Sequence, residues 1–128
     1  MNDRAGPERL RWPLRITTER HDGVLILVAV GRLSHTSAGV LKAALDVAVD
    51  HETGGLVLDF GLVDYLSSAA LTVLDTVALQ LTRNGGVFVL CALTEPVRIA
   101  LELSGLLHHF AIESSRDDAV ALVIQRQK

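Results

Sequence analysis

From Val24 to Val30 the chain is an unbroken aliphatic run. Its length suits a strand, and the absence of polar alternation suits a strand buried on both faces of a mainly parallel sheet. Upstream, Leu14, Ile16 and Thr18 alternate with polar neighbours, which predicts an edge strand over 14–18. His21-Asp22-Gly23 lies between the two as a turn, so the first pair is a hairpin. Gly31-Arg32-Leu33-Ser34 breaks the second run. A helix then starts near Thr36 or Ser37, both good N-caps, and carries Val40, Leu41, Ala44, Leu45 and Ala48 at helical spacing.

Gly54-Gly55 punctuates, and Leu56–Phe60 is a third strand. Residues 61–66 read as a loop that ends at Ser67. Beyond it, Ala70, Val73, Leu74, Val77, Ala78 and Leu81 form one apolar stripe, with Thr72, Asp75, Thr76, Gln80 and Arg83 on the other side. This is the clearest amphipathic helix in the chain. Asn84-Gly85-Gly86 ends it as a left-handed cap does. Val87–Ala92 is a fourth strand. Thr94-Glu95-Pro96 opens the next helix with proline in its first turn, and Gly105 stops it. Val97, Ala100 and Leu101 form its core face; Leu103, Leu106 and Leu107 are assigned to packing at its exit. Phe110–Glu113 is a short strand. Ser115 and Asp118 form a capping-box variant for a last helix from Arg116 to about Arg126.

The predicted order is β-β-α-β-α-β-α-β-α. Right-handed crossovers between alternating strands and helices give an α/β fold with a mixed, mostly parallel sheet. The first strand is its antiparallel edge, and the helices pack on the sheet. Residues 13–128 are assigned to a single domain. Residues 1–12 mix charge with Gly6 and Pro7 and are read as a loose tail.

Composition narrows the chemistry. Of 128 residues, 49% are hydrophobic and 21% charged, which is globular rather than disordered. Aromatics are 4%, so the core must come from Leu, Val, Ile and Ala. The net charge of −3 argues against a general electrostatic grip on nucleic acid. No apolar run has the length of a membrane span, so no membrane insertion is expected. The single cysteine, Cys91, lies in an apolar strand as a buried free thiol, which fits a reducing, cytoplasmic setting.

In such sheets the functional loops follow the carboxyl ends of the strands. Those loops are Gly31–Ser34, Gly61–Ser68 and Leu93–Glu95. The middle one carries Asp64, Tyr65, Ser67 and Ser68 directly before the best helix. Orphan N–H groups and the positive end of the dipole favour negative charge there. Ser67 is thus a helix N-cap that can also accept a phosphate, which brings about −1.5 to −2 charges. The five histidines are scattered, or adjacent as His108-His109, and match no familiar metal spacing; no metal and no cofactor are expected. Leu66-Ser67-Ser68-Ala69 lacks the glycines of a nucleophile elbow, so no catalytic residues are assigned.

The stretch from Leu56 to Leu71, with Asp59 at the strand end and Ser67-Ser68 at the helix start, resembles the central motif of STAS domains, a family that includes the bacterial anti-sigma-factor antagonists. Gly31-Arg32-Leu33 is similar to the family's Gly-x-Leu. Residues 97–106 resemble its third helix and exit, and 112–119 its last strand and closing helix start. The resemblance implies a protein that binds an anti-sigma factor with serine kinase activity. It implies that phosphorylation of Ser67 blocks binding and that a serine phosphatase resets the switch. The docking surface it implies comprises Ser34, Asp64, Tyr65, Leu66, Ser67, Ser68, Thr72, Asp75 and Thr76. Three positions depart from the pattern: Leu66 replaces the usual Asp, Ala69 the usual Gly, and Ser34 the usual acidic residue. These departures keep open an alternative, a non-phosphorylated scaffold subunit of a signalling complex or transporter.

Overall fold

The computed structural model describes residues 14–51 and 54–127. The strands are β1 (Arg15–His21), β2 (Val24–Leu33), β3 (Gly55–Leu66), β4 (Val87–Cys91) and β5 (Ala111–Glu113). The helices are α1 (Ala38–His51), α2 (Ser68–Arg83), α3 (Glu95–Ser104) and α4 (Arg116–Gln127), with a short 3-10 turn at Leu107–His109. The element order is the predicted one. The sheet order is β1-β2-β3-β4-β5; β1 runs antiparallel to β2 and every other pair is parallel. The segment 1–12, read as a tail, lies outside the described residues.

Because each crossover moves one strand in the same direction, crossovers of one hand bring α1, α2 and α3 to one face. Leu27, Leu56, Leu58, Phe60 and Leu90 of the sheet meet Leu41, Leu45, Leu74, Leu81, Val97 and Leu101 there. The alternate residues Ile26, Val28, Val57, Val89 and Cys91 face the other way, onto Ala119, Val120 and Val123 of α4. This two-sided burial is why β2 and β4 are continuously apolar in sequence. Gly55 permits a close approach of the α4 core face: a Cβ there would overlap Cγ1 of Val123.

The caps follow the local chemistry. Gly85 takes φ +80° after α2, and Gly86 N–H bonds Leu81 C=O at 2.8 Å. Gly105 takes φ +79° after α3, and Leu106 N–H bonds Leu101 C=O at 3.0 Å. Ser115 Oγ accepts Asp118 N–H at 3.1 Å at the head of α4, while the Asp118 carboxylate accepts from Ser114 Oγ instead of closing a reciprocal box. One packing expectation is corrected. Leu103 is 84% exposed, because it lies on the outer side of α3; Leu106 and Leu107 do pack against the core.

Two predicted loops are corrected to strand. Residues 31–33 extend β2 and residues 61–66 extend β3, and the two extensions pair as a ribbon beyond β4. Between Val28 and Val30 on β2, β3 advances from Asp59 to Leu62; between Gly31 and Leu33 it advances from Val63 to Leu66. Each step places one extra residue on β3, which is a bulge. The result is a spacing of three: Phe60, Val63 and Leu66 are buried, and the pairs between them are exposed. That spacing matches neither the strand period of two nor the helical 3.6, so the sequence pattern does not reveal the ribbon. Gly31, at φ 122°, supplies a backbone angle that other residues rarely adopt.

Cys91 is fully buried; burial first, and the nearby Asp59 charge second, push its thiol up to about 12. A thiol in that state carries negligible thiolate at neutral pH. We expect native protein to resist alkylation by iodoacetamide and to react fully once unfolded in urea, as read by intact mass. Rapid labelling of the folded chain at neutral pH would contradict this placement.

Candidate functional site

The ribbon delivers the chain to the start of α2. Ser67 N–H donates to Leu33 C=O at 2.8 Å, the last main-chain bond between β2 and the end of β3. Ser67 has extended dihedrals, and its Oγ accepts Ala70 N–H at 3.2 Å, so it is the N-cap of α2 as its position suggests. The residue is 8% exposed, while Ser68, the first helical residue, is exposed. The hydroxyl of Ser67 therefore sits in the seam between ribbon and helix, more enclosed than a solvent-facing switch residue, and must leave its cap to project outward.

Around this seam the structure gathers part of the predicted surface. Asp64 and Tyr65 are exposed together at the second bulge. Thr72 lies one turn beyond Ser68 and donates to Ser68 C=O at 3.2 Å; Thr76 repeats the arrangement with Thr72 C=O at 2.9 Å. Ser34 is half-buried, and its Oγ lies 3.1 Å from both Thr36 Oγ1 and Ser37 Oγ. Ser37 Oγ in turn donates to Arg32 C=O at 2.7 Å, which fixes the turn between β2 and α1. A groove of about 580 Å³ continues the surface between α1 and α2, walled by Lys42, Asp46, Thr72, Thr76 and Gln80.

Two predicted contacts are placed differently. Leu66 is 7% exposed and belongs to the main core, because the bulge at Asp64-Tyr65 turns it inward. Its side chain offers no surface to a partner. Asp75 is half-buried and its carboxylate lies 3.0 Å from Nδ1 of His109, so it ties α2 to the 3-10 turn.

Other neighbours were not legible in the sequence. The Arg32 guanidinium lies over the exposed Tyr65 ring, 4.2 Å from its centre, a cation–π contact across the ribbon. Thr94 Oγ1 donates to Val63 C=O at 2.6 Å, so it braces the ribbon instead of capping α3. Only the facing of two strands beyond their expected ends brings these groups together. Among the described residues no helix is long and apolar enough to cross a membrane.

A mixed five-stranded sheet with three helices on one face, and a capped serine pair at the carboxyl end of its third strand, defines the class: residues 15–119 match the STAS domain model, and the chain belongs to that family. Its relatives include BtrV of Bordetella bronchiseptica, a proposed anti-sigma factor antagonist. The two are 40% identical over 84% of this chain and 93% of BtrV. The anti-sigma F factor antagonist of Paenibacillus polymyxa is 29% identical over 73% of this chain and 80% of its own length. Among solved structures, an anti-sigma factor antagonist from Mycobacterium paratuberculosis superposes with a TM-score of 0.79 at 28% identity. That match covers 87% of this chain and 94% of the other.

Proposed function

We propose that this chain is an anti-sigma factor antagonist that acts by binding, not by catalysis. Its partner is a cytoplasmic anti-sigma factor with serine kinase activity, and docking releases the sigma factor to regulate transcription. Phosphorylation of Ser67 blocks docking, and a serine phosphatase restores it. The observation that carries the reading is the seam itself: Ser67 caps α2 where the ribbon ends, with Asp64, Tyr65, Ser68 and Thr72 exposed beside it. The resemblance to named antagonists over nearly the whole chain supports the same reading.

The enclosure of Ser67 sets a modest requirement. Freeing its hydroxyl from Ala70 N–H forfeits an N-cap worth about 1 kcal/mol, which docking to a kinase can supply. A phosphate on the freed oxygen then lies at the positive end of the α2 dipole.

The test is incubation with ATP and a candidate anti-sigma factor that carries a serine-kinase domain. Intact mass is expected to show a single phosphate adduct that maps to Ser67 and is absent from Ser67→Ala. The modified chain is expected to lose co-elution with the kinase. A phosphate that maps to Ser68 would move the switch. No adduct, together with a stable complex, would favour a scaffold role; the buried Leu66 in place of the motif's usual Asp is the feature that points that way.

A further inference from the structure

We propose that Asp59 is a positioning residue for the docking ribbon, which holds the first bulge of β3 by accepting the Gly61 N–H while Arg116 anchors it from α4. The role rests on the docking reading for its importance to function, but its geometry is independent of any partner. A bulge leaves a ladder N–H without its usual cross-strand acceptor. Here Asp59 Oδ1 accepts Gly61 N–H at 2.7 Å. The other carboxylate oxygen, Oδ2, accepts from Arg116 Nε. Arg116 Nη1 reaches on to Glu19 Oε1 of β1 at 2.7 Å. One carboxylate, 7% exposed, thus joins the bulge to the head of α4 and to the edge strand.

The bulge decides which side chains of the ribbon meet solvent. Phe60 faces the main core. Plain alternation from Phe60 would turn Leu62 and Asp64 inward and put Val63 on the opposite face. The bulge instead sends Val63 into the core and leaves Leu62 and Asp64 exposed. Asp59 therefore acts at a distance on Asp64, Tyr65 and Ser67, with none of which it makes a hydrogen bond. Glu19 is a lesser part of the chain of contacts. Its carboxyl is held below its ordinary value by the bond to His21 first and that to Arg116 next, on an exposed edge.

Amide hydrogen exchange followed by NMR tests the proposal on the isolated chain. In Asp59→Ala, exchange at Gly61 and Ser67 should quicken by about tenfold beyond any change at the β4 amides. Asp59→Asn keeps the accepting oxygen and should hold both amides within about twofold of wild type. Equal protection in Asp59→Ala and wild type overturns the proposal. So does a loss in Asp59→Asn as large as in Asp59→Ala. A readout that needs no variant is the through-bond coupling between Gly61 nitrogen and Asp59 Cγ in wild type; its presence is expected and its absence overturns the assignment. If the wild-type chain binds no anti-sigma kinase, the docking reading fails, and these exchange results still judge Asp59.

Discussion

Ser67→Asp is expected to lower affinity for the anti-sigma factor by about a hundredfold, the effect at about 3 kcal/mol of a charge buried at the interface with no counter-charge on the partner. Ser67→Ala is expected to bind within a few-fold of wild type. Stability should move the opposite way. Asp caps a helix about as well as Ser, so Ser67→Asp retains the bond from Ala70 N–H and the favourable dipole. Ser67→Ala loses that bond and should be less stable by about 1 kcal/mol. The stabler variant is thus the one that fails to bind, which separates a switch from a folding defect. Calorimetric titration against the kinase, beside urea denaturation of each variant, makes the comparison. Equal affinity of the two variants would reject an electrostatic switch at this residue.

The largest effect on stability is expected at the other end of the same strand. Gly55→Ala should cost about 3 kcal/mol, at the upper end for overpacking. A Cβ at Gly55 would overlap Cγ1 of Val123, a fully buried β-branched side chain on the sheet-facing side of α4. The neighbouring glycine is the control. A Cβ at Gly54 would overlap only Nε2 of Gln127, the far end of an exposed and flexible side chain. Gly54→Ala should therefore cost less than about 0.5 kcal/mol. Urea midpoints followed by circular dichroism measure both. Equal losses at the two positions would mean that contact with α4 is not what requires glycine at position 55.

These two residues also mark how far the sequence could be read. Ser67 was recognisable because an N-cap is a local event: a small polar residue stands directly before an apolar stripe at helical spacing. The glycine caps at Gly85 and Gly105 were legible for the same reason, since a left-handed residue is needed within one turn of the helix end. Gly55 was visible only as punctuation; its close contact with Val123 belongs to α4, far along the chain. Of the candidate surface, exposure was legible at some positions and not at others. Asp64, Tyr65, Ser68, Thr72 and Thr76 are exposed beside the seam, whereas Leu66 turned inward and Asp75 turned to His109.

Local sequence patterns determined the order of elements, the opening hairpin and the serine at the head of α2, and the parallel sheet followed from strands alternating with helices. Each such pattern depends on residues within a turn or a strand of one another, and alternation or helical spacing records them directly. Tertiary structure decided the rest. The β2–β3 ribbon exists because two strands pair past their expected ends, with bulges that erase the period of two. Asp59 meets Arg116 across 57 residues, and Arg116 meets Glu19 across 97. No local pattern encodes which distant partner completes a hydrogen bond, so the groups that brace the ribbon of the proposed docking surface became visible only once the sheet had brought them together.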